Sequence, residues 1–421
     1  MTDFTILPNG LKVLSEHDAQ ALSVHVAIFV YAGTRHEFPA EEGLAHFLEH
    51  MAFKGTYQRT ALQIAQAIED VGGSINAYTA RDHTVYHARG LSEHLPVFIE
   101  ILSDILCNSV FDDADIQTER DVVLQEIAQA EDIPDDLIFD LHNDIAFPNQ
   151  PLGHRALGQP EQVAAYHRDQ VKGIFERFVR PGRMALVVAG RYRHDAVEEL
   201  AERFLGRLPT QQNLDDEPPA SPATAIAAMD RNSSAQSHLL WTLPVSGLAG
   251  EQYMSWQVFA NLMGGGMSSP LFQKIREERG LAYSVYAFYA GLRETGQLGF
   301  YVSTHPDRIL EATALMRMIL EQVASGNFIQ DNLTRAKNQT RAAAVMNWEH
   351  AANRVDYAAR RLQWHDDLRH PRELLEPIDH LNINDMRAMA EQLAANNAPV
   401  CYLLGPKAEG HLPQLERIIF G

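Results

Sequence analysis

The sequence predicts an α+β protein of two homologous α/β-sandwich domains, each an antiparallel-rich sheet covered by helices on one face. Three observations lead there. The chain has 421 residues, enough for two or three domains at ~150 residues each. Pro209 to Pro222 is rich in Pro and Asp, lacks apolar periodicity and falls near the middle of the chain, as an extended linker would. The two halves also repeat one order of elements: helix, glycine, strand, strand, long helix. The expected boundaries are therefore 1–208 for the first domain, 209–223 for the linker and 224–421 for the second domain.

The elements follow in chain order. Two short strands flank a Pro8-Asn9-Gly10 turn, and Ser23–Tyr31 is an apolar strand run. Residues 41–55 are expected to be helical, with Pro39 ahead, Glu41 and Glu42 in the first turn and Gly55 closing the helix. Thr60 to Val71 has helical spacing and stops at Gly72-Gly73. Ser74–Ala80 and Thr84–Gly90 then form a strand pair, and Ser92–Cys107 a long amphipathic helix. In the second half, Ser237–Leu243 is a strand, Ser269–Arg279 a helix ended by Gly280, Leu281–Ala290 and Gly296–Thr304 a strand pair, and Pro306–Ala324 a helix.

Composition excludes several functions. With 35 basic against 55 acidic side chains the formal charge is −20, which disfavours nucleic acid and anionic membranes and leaves cationic partners or peptides as plausible company. Cys107 and Cys401 sit in apolar surroundings and read as small core residues. The N-terminus lacks a basic region followed by an apolar one, and no stretch reaches the ~18–20 apolar residues of a membrane helix. The expectation is a cytoplasmic protein without membrane segments.

The chemistry concentrates in His46-Phe-Leu-Glu49-His50. On a helix, His46 and His50 stand one turn apart on one face, where two imidazoles can converge on a metal ion. Neutral imidazoles suit Zn²⁺, and Glu49 on the same side could take a proton from an attacking water. A catalytic zinc needs a third protein ligand. The helical stretch from Asp115 to Glu131 offers Glu119 and Glu126 two turns apart on one face. One could bind the metal and the other orient a histidine; spacing does not decide between them.

His46-Phe-Leu-Glu49-His50 followed by Glu126 resembles the inverted zinc motif of the pitrilysin, insulin-degrading enzyme and mitochondrial processing peptidase family, in its short two-domain branch. The resemblance implies a zinc metalloendopeptidase with one Zn²⁺ per chain. His46, His50 and Glu126 match the ligands, Glu49 the base and Glu119 an accessory glutamate. Asn76-Ala77-Tyr78-Thr79 resembles the edge strand that binds substrate beside the zinc. Arg276 and Tyr283 resemble the Arg and Tyr by which the companion domain serves the substrate backbone. The first domain would then be catalytic and the second a non-metal-binding partner completing the substrate chamber. Tyr253 to Leu262, where a duplicated zinc helix would lie, carries no ligands. The chain departs from the family's usual residues at Phe178 and Arg183. An extended, unfolded peptide is the implied substrate, and a homodimer or a heterodimer with a homologous chain the implied assembly. Two other readings stay open at this stage: a catalytic subunit that needs a separate partner chain, and a non-catalytic structural homologue.

Overall fold

The computed structural model describes residues 2–193, 196–210, 220–327, 330–365, 371–395 and 398–420. Its strands are β1 (Thr2–Ile6), β2 (Lys12–His17), β3 (Ser23–Val30), β4 (Ser74–Thr79), β5 (Thr84–Leu91), β6 (Met184–Gly190), β7 (Ala225–Asp230), β8 (Ser237–Ser246), β9 (Ala282–Gly291), β10 (Thr295–Thr304) and β11 (Val400–Gly405). They form two sheets, a six-stranded one in the order β1-β2-β6-β3-β5-β4 and a five-stranded one in the order β7-β11-β8-β10-β9.

The sheets repeat each other. Each has one parallel pair, β2 with β6 and β7 with β11, and is otherwise antiparallel. The strand following that pair is β3 in one sheet and β8 in the other, and each sheet ends on a hairpin whose first strand is the edge. Even a backbone detail recurs. Gly190 and Gly405 end equivalent strands at φ 129° and 152°. A Cβ there would press on Ser23 O at 2.3 Å and on Ser237 Oγ at 2.6 Å, the first residues of β3 and β8. Duplication of an ancestral domain accounts for this.

The helices that concern the site are α1 (Leu44–Ala52), α2 (Ala61–Glu69), α3 (Leu95–Cys107), α4 (Asp113–Asp132) and α5 (Pro134–Ala146). On one face of the first sheet, Val26, Ile28 and Val188 pack with Phe47, Met51, Phe98 and Leu102 of α1 and α3. Here the structure corrects the one-face expectation. The opposite face, with Ala27, Phe29 and Val187, is covered by Val355, Ala359 and Leu362 of the helix Ala351–Trp364. In the second sheet, Trp241, Phe300 and Leu403 face one core. Leu240, Tyr301 and Leu404 on the other face meet Leu137, Ile138 and Leu141 of α5. β3 and β6 are buried on both sides, which is why they read as near-continuous apolar runs.

These covering helices cross the sequence halves. The compact units are Met1–Gln129, His154–Pro218 and Asn347–Leu368 for the first, and Ala130–Gly153, Pro219–Met346 and Arg369–Gly421 for the second. A boundary at 208 and 224 therefore misses two exchanged segments. Residues 211–219 of the expected linker lie outside the described residues. Its end belongs with the second unit, where Ser221 N donates to Gln150 Oε1 at 2.9 Å and Ala223 N to Ala146 O at 2.8 Å.

The described helices include none long and apolar enough to cross a membrane. Both cysteines are free, and burial pushes the Cys107 thiol up to about 12.

Candidate metal centre

Helix α1 begins later than Glu41 and Glu42 suggest. Pro39–Glu41 forms a separate turn, and the helix starts after Gly43, whose φ of 89° is left-handed. A side chain there would also strike Gly158 Cα at 2.5 Å, so only glycine fits. The cap comes from Glu37. Its carboxylate, 2% exposed, accepts from Gly43 N at 3.1 Å and Ala45 N at 2.7 Å. These are N–H groups that the helix itself leaves unpaired. Burial pushes Glu37 well above the ordinary carboxylate range against the pull of those two bonds. At the other end the helix stops at Phe53 rather than at Gly55.

So anchored, α1 presents His46, Glu49 and His50 on its half-buried side. One donor atom from each of His46, His50 and Glu126 lies within 4.8 Å of the other two. Glu126 Oε2 is 3.9 Å from His46 Nε2 and 3.7 Å from His50 Nε2. That oxygen is buried and has no hydrogen-bond partner, a costly arrangement unless something between the three groups compensates it. Burial, then the neighbouring His50, pushes His46 down to about 4, so its imidazole is neutral and able to donate a lone pair. Two neutral-capable imidazoles and a carboxylate are a zinc donor set, and the residues present fit that ion.

Glu119 has a different place. Its buried carboxylate is 3.0 Å from His50 Nδ1 through Oε2, and Lys54 Nζ contacts its other oxygen, Oε1. A proton on Nδ1 shared with Glu119 leaves Nε2 of His50 facing Glu126 with its lone pair free. Glu49, near enough to His50 and Glu126 to feel their charge, also reaches the end of β4, where Thr79 Oγ1 donates to its Oε2 at 2.6 Å. Burial raises Glu49 above the usual carboxylate range, and the Thr79 bond opposes the shift.

β4 is an edge strand, paired with β5 alone among the described residues. Asn76 and Tyr78 are exposed and Ala77 is buried. Asn76 Oδ1 accepts from Ala77 N at 2.9 Å, and Tyr78 OH donates to Asp356 at 2.9 Å. Arg276 and Tyr283 form a pair of their own in the second unit. Arg276 lies within a π-helical turn over Phe272–Glu277, instead of the regular helix expected there. It donates to Tyr283 O at 2.9 Å and lies over the Tyr283 ring at 4.3 Å. Tyr283 is 75% exposed.

Two contributors escape a motif search. Lys54 stands one helical turn beyond His50, a spacing that hints at it, but its partner on α4 is visible only in three dimensions. Glu37 caps α1 from outside the motif and leaves no spacing signal.

A fold of two repeated sheet-and-helix units with one His-His-Glu cluster among the described residues defines a class, and comparison with known proteins places the chain within it. The family model described as insulinase (peptidase family M16) matches residues 12–160, and that of the peptidase M16 inactive domain matches residues 166–340. A Mycobacterium leprae protein named an uncharacterized zinc protease is 34% identical, covering 99% of this chain and 94% of its own. One of the same description from Streptomyces coelicolor is 31% identical over 96% of this chain and 89% of its own. A solved protease from Helicobacter pylori shares the fold with a TM-score of 0.89 at 19% identity, over 96% of this chain and 99% of that one. The chain belongs to the insulinase family, peptidase family M16. The inactive-domain match spans the helix Tyr253–Gly264, which carries no histidine or carboxylate.

Proposed function

We propose that the protein is a zinc-dependent endopeptidase that hydrolyses unfolded peptides, with one Zn²⁺ held by His46, His50 and Glu126. The observation that carries the reading is the orphaned Glu126 Oε2 facing both imidazoles at under 4 Å. When bound, zinc supplies Lewis acidity that polarises the scissile carbonyl and acidifies water. Glu49 takes the proton from the attacking water and passes it to the leaving amine, and its burial favours that exchange by bringing its proton affinity closer to neutral. Thr79 Oγ1 keeps the Glu49 carboxylate aimed. Glu119 and Lys54 orient His50. The open edge of β4 over Asn76–Thr79 takes an extended peptide through main-chain hydrogen bonds, which are tolerant of sequence. Arg276 and Tyr283 serve the substrate backbone, a role suggested by the family and by their mutual contact. Since a single chain carries all these groups, a homodimer is the simplest assembly and no separate catalytic partner is needed. The relatives named zinc proteases support the same reading.

Glu49→Gln tests it. The variant should bind one zinc per chain and fail to cleave an unstructured peptide such as insulin B chain, whereas the unaltered protein cleaves it until zinc is chelated. Wild-type turnover by Glu49→Gln would remove the base and the mechanism with it.

A further inference from the structure

A cavity of about 590 Å³ lies within the first unit, where β4 begins, β5 ends and the helix Ala351–Trp364 starts. Its lining includes His25, Ser74, Arg89 and His350 and no Asp or Glu, in a chain whose formal charge is −20. His25 is 7% exposed and its side chain makes no hydrogen bond among the described residues; its ring stacks on His87 at 5.3 Å. Arg89 Nε donates to Ser74 Oγ at 3.1 Å, and no carboxylate pairs with the guanidinium among the described residues. The helix starts at His350 with no side-chain cap, so its first N–H groups add partial positive charge. Burial, His87 and Arg89 all push His25 downward, to about 4, with nothing acidic opposing them. The lining thus offers an anion one guanidinium, the Ser74 hydroxyl, the N–H of a neutral His25 and an uncapped helix start, and it includes no carboxylate to satisfy them.

Its position names the anion. Ser74 is both the first residue of β4 and part of the cavity wall. At the other end of the strand Thr79 holds Glu49. A peptide added antiparallel to β4, continuing the pairing of β4 with β5, has its C-terminal end at Ser74. The parallel direction would bring an amino terminus there, which this wall repels. We propose that the cavity takes the C-terminal carboxylate of a peptide paired antiparallel with β4. Thr79 and Ser74 are separated by about 17 Å at ~3.3 Å per residue, which sets cleavage about five residues from the substrate's end. The inference rests on the peptidase reading above and narrows its substrates to oligopeptides with a free C-terminus.

The test measures binding to zinc-loaded Glu49→Gln by fluorescence anisotropy, using an unstructured decapeptide labelled at its N-terminus and made as the acid and as the C-terminal amide. The acid should bind at least about tenfold more tightly, the gain of one charge-assisted contact. Arg89→Gln and Ala352→Asp, both at exposed positions, should each abolish the difference and leave the amide's affinity unchanged. Millimolar inorganic phosphate should weaken the acid to the level of the amide. Equal affinities for acid and amide overturn the carboxylate site while leaving the peptidase reading intact, and phosphate binding in that case marks a pocket for free anions. A difference that survives Arg89→Gln also overturns the site. Failure of both peptides to bind sinks the peptidase reading and this inference together.

Discussion

Replacing Lys54 by Met probes the support behind the proposed metal ligands. Lys54 Nζ contacts Glu119 Oε1, and Glu119 Oε2 lies 3.0 Å from His50 Nδ1. The Glu119 side chain is 3% exposed and that of Lys54 33%. Breaking a fully buried pair costs about 3–5 kcal/mol. Lys54 is one-third open to water, so solvent replaces part of what it gives and about 1–3 kcal/mol is a fair expectation. Met keeps the apolar stem and removes only the charge. Glu119 then loses one of the two contacts that fix its carboxylate, and His50 loses a firm partner for Nδ1. Partners of this kind are worth about 10–100-fold in metal affinity. Zinc affinity measured by competition with a chromophoric chelator should fall by that factor in Lys54→Met and recover in large part in Lys54→Arg. If Lys54→Met binds zinc as tightly as the unaltered protein, Lys54 does not act on His50 through Glu119 and this reasoning fails.

Two further outcomes concern stability. Glu37→Ala strips the acceptor from Gly43 N and Ala45 N, and at about 1–3 kcal/mol per buried unsatisfied donor it should lower the melting temperature of the metal-free protein clearly, with Glu37→Gln intermediate; coincident melting curves would count against the cap. His142, 1% exposed and 3.0 Å from Thr242 Oγ1 through Nε2, is pushed by burial down to about 4. It stays neutral when folded, whereas the unfolded chain takes up a proton near pH 6.5. Its contribution is therefore complete above pH 6.5 and is lost as pH falls toward 4, amounting to about 3 kcal/mol. The shift in urea midpoint between pH 7.5 and pH 4.5, followed by the fluorescence of buried Trp241, should be smaller in His142→Gln; an equal shift in both proteins contradicts the assignment.

The sequence made the heart of the site legible because a helix turns spacing into geometry. Histidines four apart must share a face, whatever the rest of the fold does. Glu119 and Glu126 were not separable in the same way: they share a face of α4, and what distinguishes them is the approach of Lys54 and His50 from another helix. The start of α1 was misplaced for a similar reason. Glu41 and Glu42 look like first-turn acids, yet the capping carboxylate is Glu37, which bends back over an intervening turn. The second-face helices were missed because α5 and Ala351–Trp364 pack on sheets that belong to the other half of the sequence. The unbroken burial of Met184–Gly190 was the local sign that both faces are covered. No alternation of polar and apolar residues marks that strand, so periodicity had nothing to find.

Whether the three donors share an ion is tested most directly by anomalous diffraction at the zinc edge from crystals of the purified protein. A single peak per chain is predicted, at ~2.0–2.2 Å from His46 Nε2, His50 Nε2 and a Glu126 oxygen. A peak bound elsewhere, or density that leaves these side chains apart in crystals grown with zinc, would contradict the account.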